Sequence, residues 1–374
     1  MNRKVGYYIY YEANKDFVGV KKKIDNQIAV LNTYVDCKKI IVPREKKNII
    51  RSVLWRLPFG SFGRKYEYAF DIIEKNGAPD FFYVRCVPVD RKFLKFVQTI
   101  KLKFPNVKIL LEIATYPYWT ELLYDFTMFP FFFKDLMYRK EMAKYVDRIV
   151  TFSDDDYIWR IPTIHIRNGV LVDKISPVKN AKKDDVIVLL AVASFQRVHG
   201  YERCIKGLRD YYREGGDKRI ELHFVGNGTE VDKYKKLIKS YKLEPYVIFY
   251  GMQTGESLER IYDKADIGLG ELGVFKRKLQ KVSSLKTPEY LSKGLPVVVG
   301  FEEETFMIEP TRYVCEFPNN DSNINMERII TFYDEIYNGE MGRKEVHEEI
   351  RDYARRMVDL QKLMQPVVDY ILQN

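Results

Sequence analysis

The chain has 374 residues, of which 46% are hydrophobic and 30% charged, and a net charge of +10, which is typical of a folded two-domain protein and excludes a disordered chain. The four cysteines are far apart and show no CxxC spacing; they are Cys37, Cys86, Cys204 and Cys315. This argues against a disulfide framework or a zinc site and favours a reducing compartment. No run approaches the roughly 20 apolar residues of a membrane span, and the tyrosine-rich first run does not resemble a signal peptide, so we expect a cytoplasmic protein.

Short apolar runs alternate with helical patterns along the whole chain. Helices are predicted, for example, at 20–34 and 200–213, where apolar residues recur at helical spacing. Strands are predicted at 5–11, 38–43, 81–87, 107–114, 148–152 and 163–167 in the first half and at 186–193, 221–226, 247–250, 266–270, 296–300 and 313–317 in the second. This alternation predicts an α/β fold with two parallel sheets, each covered by helices on both faces.

A polar stretch near 172–185 separates the two halves. We therefore predict an N-terminal domain over residues 1–175 and a C-terminal domain over residues 176–354. Residues 343–373 show one long helical pattern. Its last part, from about 355 to 374, is a candidate for packing back on the first domain.

The positive charge is concentrated in the first half. Counting Lys, Arg, Asp and Glu gives +11 for residues 1–170 and −1 for residues 171–374, which together make the net +10. The first half is therefore expected to meet an anionic partner. Anionic lipid, a lipid-linked pyrophosphate and nucleic acid are the candidates.

Residues 284–300 contain the most informative local pattern. A short helix begins near Lys286 and Glu289, Gly-Leu-Pro ends it, and an all-apolar strand follows. A helix N-terminus at a strand end of an α/β sheet binds anions, because its first N–H groups lack partners and the helix dipole favours negative charge. Lys286 adds a positive charge, and Glu289 can accept hydrogen bonds from two hydroxyls. Phosphate plus ribose is the simplest ligand that satisfies both.

The loop after strand 186–193 is a second candidate for phosphate binding. Arg197 offers a planar fork to phosphate oxygens, and His199 precedes Gly200 at the start of the next helix. An ordinary surface loop with a capping histidine explains this segment equally well. Together with Lys286, however, the loop would form a clamp for pyrophosphate.

Several segments resemble the GT-B glycosyltransferases of family 4, in the branch that assembles capsular polysaccharides and exopolysaccharides. The resemblance rests on residues 193–203, 224–228, 251–270 and 286–298 in the second half, and on 112–118 and 168–169 in the first. It implies a GT-B fold, in which two Rossmann-like, doubly wound parallel-sheet domains face a central cleft.

The resemblance also implies roles for individual residues. Arg197 and Lys286 would be catalytic and hold the donor diphosphate, and Glu289 would bind the ribose. The remaining implied donor-binding residues are His199, Gly200, Gly228, Ser284 and Leu285. On the acceptor side the implied residues are Gly19, Tyr116 and Tyr118.

The sequence departs from this family in two places. The family carries two glutamates eight positions apart, but eight positions before Glu289 this chain has Lys281. The contact to the donor sugar is therefore unassigned, and Glu271 is a weak substitute. The family often has a histidine in the first domain where this chain reads 115–118 without one, so the general base stays open.

The run Asp154, Asp155 and Asp156 invites comparison with an Asp-x-Asp metal site. The run follows a predicted strand, so Ser153 is expected to cap a helix instead, with Asp156 three residues on. We predict that this protein holds no metal.

Aromatic residues alternate with cations in the first half. Three segments are typical of a membrane-surface element: the basic run 21–23, the stretch 55–65 and the apolar run 126–133. The last of them is followed by Lys134, Arg139 and Lys140. A solvated helix face for 21–23 and a buried core for 126–133 are the alternatives.

These patterns predict a glycosyltransferase that moves a sugar from a UDP- or GDP-sugar to a lipid-linked or glycan acceptor in cell-surface polysaccharide biosynthesis. We expect a retaining, metal-independent reaction without a cofactor, because the nucleotide-sugar is a substrate. We also expect a peripheral location at an anionic membrane surface on the cytoplasmic face, and no nucleic acid. A basic nucleic-acid-binding protein and a GT-B-fold sugar-nucleotide epimerase are the alternatives.

Overall fold

The computed structural model describes residues 3–11, 18–46, 48–61, 63–86, 88–119, 128–179 and 185–373. The chain forms two compact units. The first consists of Met1–Arg167 together with Gln361–Asn374, and the second of Asn168–Leu360. The sequence analysis had placed the boundary at residues 175 and 176.

The first unit contains a seven-stranded sheet in the order β2-β1-β3-β4-β5-β7-β6. All neighbours are parallel except β6 and β7. The strands are β1 (Val5–Tyr11), β2 (Asp36–Val42), β3 (Phe81–Arg85), β4 (Lys108–Ile113), β5 (Arg148–Thr151), β6 (Tyr157–Ile158) and β7 (Ile161–His165). The helices are α1 (Val18–Tyr34), α2 (Ile49–Leu54), α3 (Glu67–Asn76), α4 (Arg91–Lys103) and α5 (Phe129–Tyr138).

The second unit contains a six-stranded parallel sheet in the order β10-β9-β8-β11-β13-β15 and a small parallel pair, β12 with β14. The strands are β8 (Ile187–Val192), β9 (Ile220–Val225), β10 (Val247–Gly251), β11 (Ile267–Leu269), β12 (Lys281–Val282), β13 (Val297–Val299), β14 (Glu302–Glu303) and β15 (Val314–Glu316). The helices are α6 (Glu202–Arg213), α7 (Val231–Tyr241), α8 (Gly255–Tyr262), α9 (Lys286–Lys293), α10 (Glu304–Ile308), α11 (Met326–Tyr337) and α12 (Arg343–Met357).

The predicted α/β architecture is confirmed. Every strand predicted from an apolar run is present, because parallel strands bury both faces and so leave a continuous apolar signal in the sequence. The strands that were not predicted, β6, β12 and β14, have two residues each, which is too short for such a signal.

The expected helix cap at Ser153 is wrong. Residues 152–156 form bends that lead into β6, which turns back on β7 as a hairpin. Trp159 and Arg160 make the turn with φ values of +55° and +68°, as a tight hairpin of this hand requires. The Ser153 amide instead donates to the Thr151 hydroxyl at 3.2 Å.

The single C-terminal helix is also wrong. After α12 the chain continues in α13 (Leu360–Leu363) and α14 (Gln365–Leu372). The break comes where Val358 and Leu360 bond to the backbone of Val170: the Val170 amide donates to the Val358 carbonyl, and the Leu360 amide donates to the Val170 carbonyl. Pro366 then occupies the first turn of α14, where its missing N–H costs nothing.

Within the part of the chain that the structure describes, no helix is both long enough and apolar enough to cross a membrane.

Candidate functional site

The candidate site lies at the point where the strand order of the second sheet reverses. From β8 the chain builds outward through β9 and β10, and then crosses to the other side of β8 to form β11 and β13. In such sheets, ligands bind outside the carboxyl ends of the strands at this switch point. The loops that follow β8 and β11 meet here, as does the segment that leads into α9.

The loop after β8 is a 3-10 turn over Arg197–His199, followed by Gly200. Its backbone is fixed by the loop after β11, because Leu272 and Gly273 donate to the carbonyls of His199 and Val198 at 2.8 and 3.1 Å. Gly200 has a φ of +63°, and a Cβ there would lie 2.6 Å from the Gly273 nitrogen. The close approach of the two loops therefore requires glycine at this position.

His199 is a buried, neutral side chain. Its Nδ1 accepts a hydrogen bond from the Gln196 amide at 2.9 Å, and its ring stacks on Tyr201. Burial, and after it the positive charge of Lys286, lowers the pKa of His199 to about 3. Because Nδ1 is an acceptor, the proton of the neutral ring is on Nε2, which is then a hydrogen-bond donor. The histidine caps its turn and also offers that donor.

The N-terminus of α9 already has partners. The Ser284 hydroxyl accepts from the amides of Lys286 at 3.0 Å and Thr287 at 3.4 Å, and it donates to Glu271 at 2.7 Å. The expectation that these N–H groups lack partners is therefore wrong for these two amides. The cause is a serine one position before the cap Leu285, which bends back over the helix end.

Glu271 also holds Lys286. The Lys286 ammonium lies 2.6 Å from the Glu271 carboxylate, and both side chains are largely buried. Burial raises the pKa of Glu271, but the charge of Lys286 and the hydrogen bonds of Lys286 and Ser284 outweigh it and hold the pKa at about 2. Glu271 is thus ionised, and a phosphate that reaches Lys286 has to share the ammonium with it.

A second carboxyl group lies nearby in the opposite protonation state. The pairing of β12 with β14 sets Glu303 beside Val282, where its side chain is buried and its Oε2 has no hydrogen-bond partner. Burial, together with the negative charge of Glu271, raises the pKa of Glu303 to about 8. At neutral pH the site therefore combines an ionised carboxylate with a protonated carboxylic acid, a division typical of acid–base sites.

The other predicted donor residues flank this cluster. Glu289 is half-buried in the first turn of α9, and Arg197 is exposed on the loop after β8. Gly228 packs against the same loop: a Cβ on it would lie 2.2 Å from the Phe195 carbonyl oxygen. The structure brings Arg197, His199 and Lys286 to one sheet edge, while their roles toward a ligand stay predictions.

The predicted acceptor-side residues lie in the first unit. Gly19 is exposed in the first turn of α1, and Tyr116 is half-buried. Tyr118 is buried, and its hydroxyl donates to Asp135 at 2.6 Å. Its hydroxyl is therefore already engaged, and all three assignments stay predictions.

The sequence analysis missed a buried charge cluster in the first unit. Glu112 on β4 accepts hydrogen bonds from Tyr83 at 2.6 Å and Gln27 at 2.9 Å, and it pairs with Lys23 and Arg85 at 3.4 and 3.5 Å. Burial raises the pKa of Glu112, but the two cations and two hydrogen bonds hold it at about 2. The available signal was an acid inside the apolar strand 108–113, which indicates a buried partner.

One protein-family model matches the part of the chain that contains the candidate site. Residues 172–309, which include both loops and α9, match the family described as glycosyl transferases group 1. A sequence comparison with curated proteins gave no match.

Solved structures, among them glycosyltransferases, match over nearly the whole chain. A glycosyltransferase from Rickettsia africae is 13% identical, with 100% of both chains covered and a TM-score of 0.64. WaaG, a glycosyltransferase of lipopolysaccharide biosynthesis, is 14% identical, with 99% of this chain and 100% of WaaG covered and a TM-score of 0.63. HepE from Anabaena, solved with UDP and glucose, is 10% identical, with 98% and 99% covered and a TM-score of 0.60. At these identities the likeness shows the fold. The chain therefore has the two-unit, parallel-sheet fold of the GT-B glycosyltransferases, and its residues 172–309 match the glycosyl transferases of group 1.

Proposed function

We propose that this protein is a glycosyltransferase that moves a sugar from a UDP- or GDP-sugar to a lipid-linked or glycan acceptor in cell-surface polysaccharide biosynthesis. The observation that carries the proposal is a cluster at the switch point of the second sheet, inside the segment that matches group 1. There the loop after β11 bonds to the Arg197–Gly200 loop and, through Glu271, to the start of α9. HepE, of similar fold, binds UDP and glucose, which supports a nucleotide-sugar as the donor class.

The chemistry that this site has to supply is stabilisation of a leaving nucleoside diphosphate. Arg197 and Lys286 place positive charge at the sheet edge, and the Nε2–H of His199 adds a donor that needs no protonation. Preorganised donors of this kind stabilise negative charge as it develops in the transition state. We propose a retaining transfer in which the acceptor hydroxyl attacks the face that the leaving group vacates and the departing phosphate oxygen takes its proton.

The binding of UDP and GDP tests the donor site. We expect Lys286→Ala to weaken the binding of one of these nucleotides by about a hundredfold, because a charged contact to the diphosphate is lost, and Glu289→Ala to weaken it less. Isothermal titration measures the affinities. Lys239→Ala, an exposed lysine on α7, is the matched control and should bind like the wild type. Unchanged affinity in both site variants would show that the donor site is elsewhere.

A sugar-nucleotide epimerase is the second candidate, and the carboxyl pair favours it. Glu271 is ionised and Glu303 protonated beside α9, as proton transfer on a sugar would require. Incubation with UDP-sugars without any acceptor separates the two functions. An epimerase converts the donor to a second UDP-sugar visible by NMR, whereas a transferase forms no second UDP-sugar in this incubation.

A further inference from the structure

Helix α2 and the turn after it expose an unusual number of large apolar side chains. The exposed fractions are 85% for Ile49, 71% for Ile50, 56% for Val53, 49% for Leu54, 49% for Leu57 and 72% for Phe59. No residue of α2 is buried, so this helix contributes nothing to the core through its side chains. Exposed apolar residues are usually scattered singly on a folded domain, and a contiguous group of this kind marks a contact surface.

Helix α5, which bonds to the turn after α2, carries a second exposed apolar strip. Phe129, Phe133 and Met137 are 41%, 51% and 50% exposed, and their spacing of four residues places them on one side of the helix. On its other side, the buried Lys134 donates from its ammonium to the backbone carbonyl of Trp55 in the turn after α2. This bond joins α5 to the turn after α2. We call the exposed side chains of Ile49–Phe59 and of α5 the apolar face.

The charges around the apolar face are almost all positive. Arg51 and Arg56 are exposed between its apolar side chains, and residues 48–61 contain no acid. The wider stretch 44–65 holds one acid, Glu45, against the cations Arg44, Lys46, Lys47, Arg51, Arg56, Arg64 and Lys65. Just after α5, Lys140 and Lys144 are exposed together with one acid, Glu141. A partner that meets both features has to accept apolar side chains and carry negative charge around them.

An anionic lipid surface has this combination over its whole area. Short apolar segments insert among the acyl chains and headgroups, while Lys and Arg bind the lipid phosphates. Nucleic acid supplies the negative charge but no place for exposed isoleucine and phenylalanine side chains. A protein surface of mixed charge does not explain why acids are excluded from 48–61.

We propose that the apolar face docks the first unit on the surface of an anionic lipid bilayer, with Arg51 and Arg56 at the lipid phosphates. The docking extends the proposed function, since a lipid-linked acceptor lies at such a surface, but it uses no residue of the donor site. The proposed docking surface begins at Ile49, whereas the sequence analysis started the membrane element at residue 55 and did not include α2. Residues 126 and 127 of the second predicted run lie outside the described residues.

Flotation of the full-length protein with lipid vesicles tests the docking. We expect the wild type to float with vesicles of phosphatidylcholine and phosphatidylglycerol, and much less with phosphatidylcholine alone. Ile50→Glu combined with Val53→Glu should reduce the partition coefficient by at least about tenfold, because two acids enter the apolar face. Leu102→Glu is the matched control and should float like the wild type. Leu102 is 74% exposed, but it lies at the C-terminal end of α4. That end of α4 is on the side of the sheet where the strands begin, whereas α2 follows the end of β2.

The charge is tested separately with Arg51→Glu combined with Arg56→Glu. These side chains are exposed, so the variant should have the melting temperature of the wild type. It should nevertheless no longer float with the vesicles. The wild type should also lose flotation at high salt, because salt screens the attraction between its cations and the lipid phosphates. Wild-type protein that stays with the soluble fraction, or an Ile50 and Val53 variant that floats as well as the Leu102 variant, would overturn the proposal. UDP titration of the same variants keeps the two proposals apart, since lost UDP binding would count against the donor site and lost flotation against the apolar face.

Discussion

Glu271 and Glu303 show how two like side chains in one site reach opposite protonation states. Glu271 gains an ammonium and a hydroxyl donor, whereas Glu303 is buried beside that negative charge and has one oxygen without a partner. The pKa of Glu303, raised to about 8, lies above the ordinary value near 4.5 that applies in the unfolded chain. The folded protein therefore binds one more proton than the unfolded chain between these values, and stability falls as pH rises through this window.

Glu303→Gln should remove this fall in stability at higher pH. The amide has the size of the protonated acid, so we expect little change at pH 5 and a gain on the order of 3 kcal/mol in the free energy of unfolding at pH 8. Urea unfolding at both pH values measures it. Glu302→Gln, an exposed neighbour, should follow the wild type at both. A Glu303→Gln variant that loses stability equally at pH 5 and pH 8 would instead indicate an ionised Glu303.

Glu112 is the opposite case, an acid whose charge the fold needs. Glu112→Gln leaves Lys23 and Arg85 without a counter-charge, and we expect it to lower the free energy of unfolding by about 3 to 5 kcal/mol. The control is Glu74→Gln, which removes an exposed partner of Lys103 and should have a much smaller effect. Because the pKa of Glu112 is held at about 2, its contribution is present above the unfolded value near 4.5 and is lost as pH falls toward 2. Acid unfolding of the wild type that begins only below this window would contradict the assignment.

At the scale of elements, the loop after β8 depends on glycine for packing as well as for its backbone angle. Gly200 and Gly215 both have positive φ, at +63° and +90°, but only Gly200 has atoms close to where a Cβ would be. Both alanine variants should pay the backbone strain of roughly 1 kcal/mol, while Gly200→Ala also has to push the loop of Gly273 away. We expect Gly200→Ala alone to weaken UDP binding, and thermal shift with and without UDP compares the two. Equal loss of stability with UDP affinity intact in both would mean that the two loops move apart at no cost.

The accuracy of the sequence analysis at this scale follows from the range of the interactions involved. The strand Val297–Val299 was predictable because both its faces are buried, so all its residues are apolar and form a continuous apolar run in the sequence. The end of α12 was not, because the partner that ends it, Val170, is far away in the chain. The same holds inside the site: Lys286 was identified from its place at a helix start, but its pairing with Glu271 depends on how two loops meet. Local patterns gave the elements and the site's position, whereas the contacts that decide protonation come from tertiary structure.

At the scale of the whole chain, the first unit is completed by the last residues. Met364, Val367, Val368 and Ile371 are at most 1% exposed within this unit. The ammonium of Lys4 donates to the carbonyls of Ile371 and Gln373 at 2.9 and 2.7 Å, and Lys108 donates to that of Tyr370 at 2.8 Å. The α14 segment is thus held both by its apolar side and by cations at its C-terminal carbonyls, where the helix dipole favours positive charge.

Removal of residues 361–374 should therefore destabilise the first unit and spare the second. Each of the four buried side chains contributes about 1.5 to 3 kcal/mol, which together approaches the whole stability of a domain. We expect calorimetry of the truncated chain to show the first unit unfolding at a lower temperature or already unfolded. The transition that UDP is expected to shift upward should remain, because the proposed donor residues lie in 168–360. Point variants separate packing from length: Ile371→Ala should cost about 2 to 5 kcal/mol, whereas Leu372→Ala, 43% exposed, should cost well below that. Loss of the UDP-sensitive transition on truncation would show that the second unit depends on the C-terminal segment for its own fold.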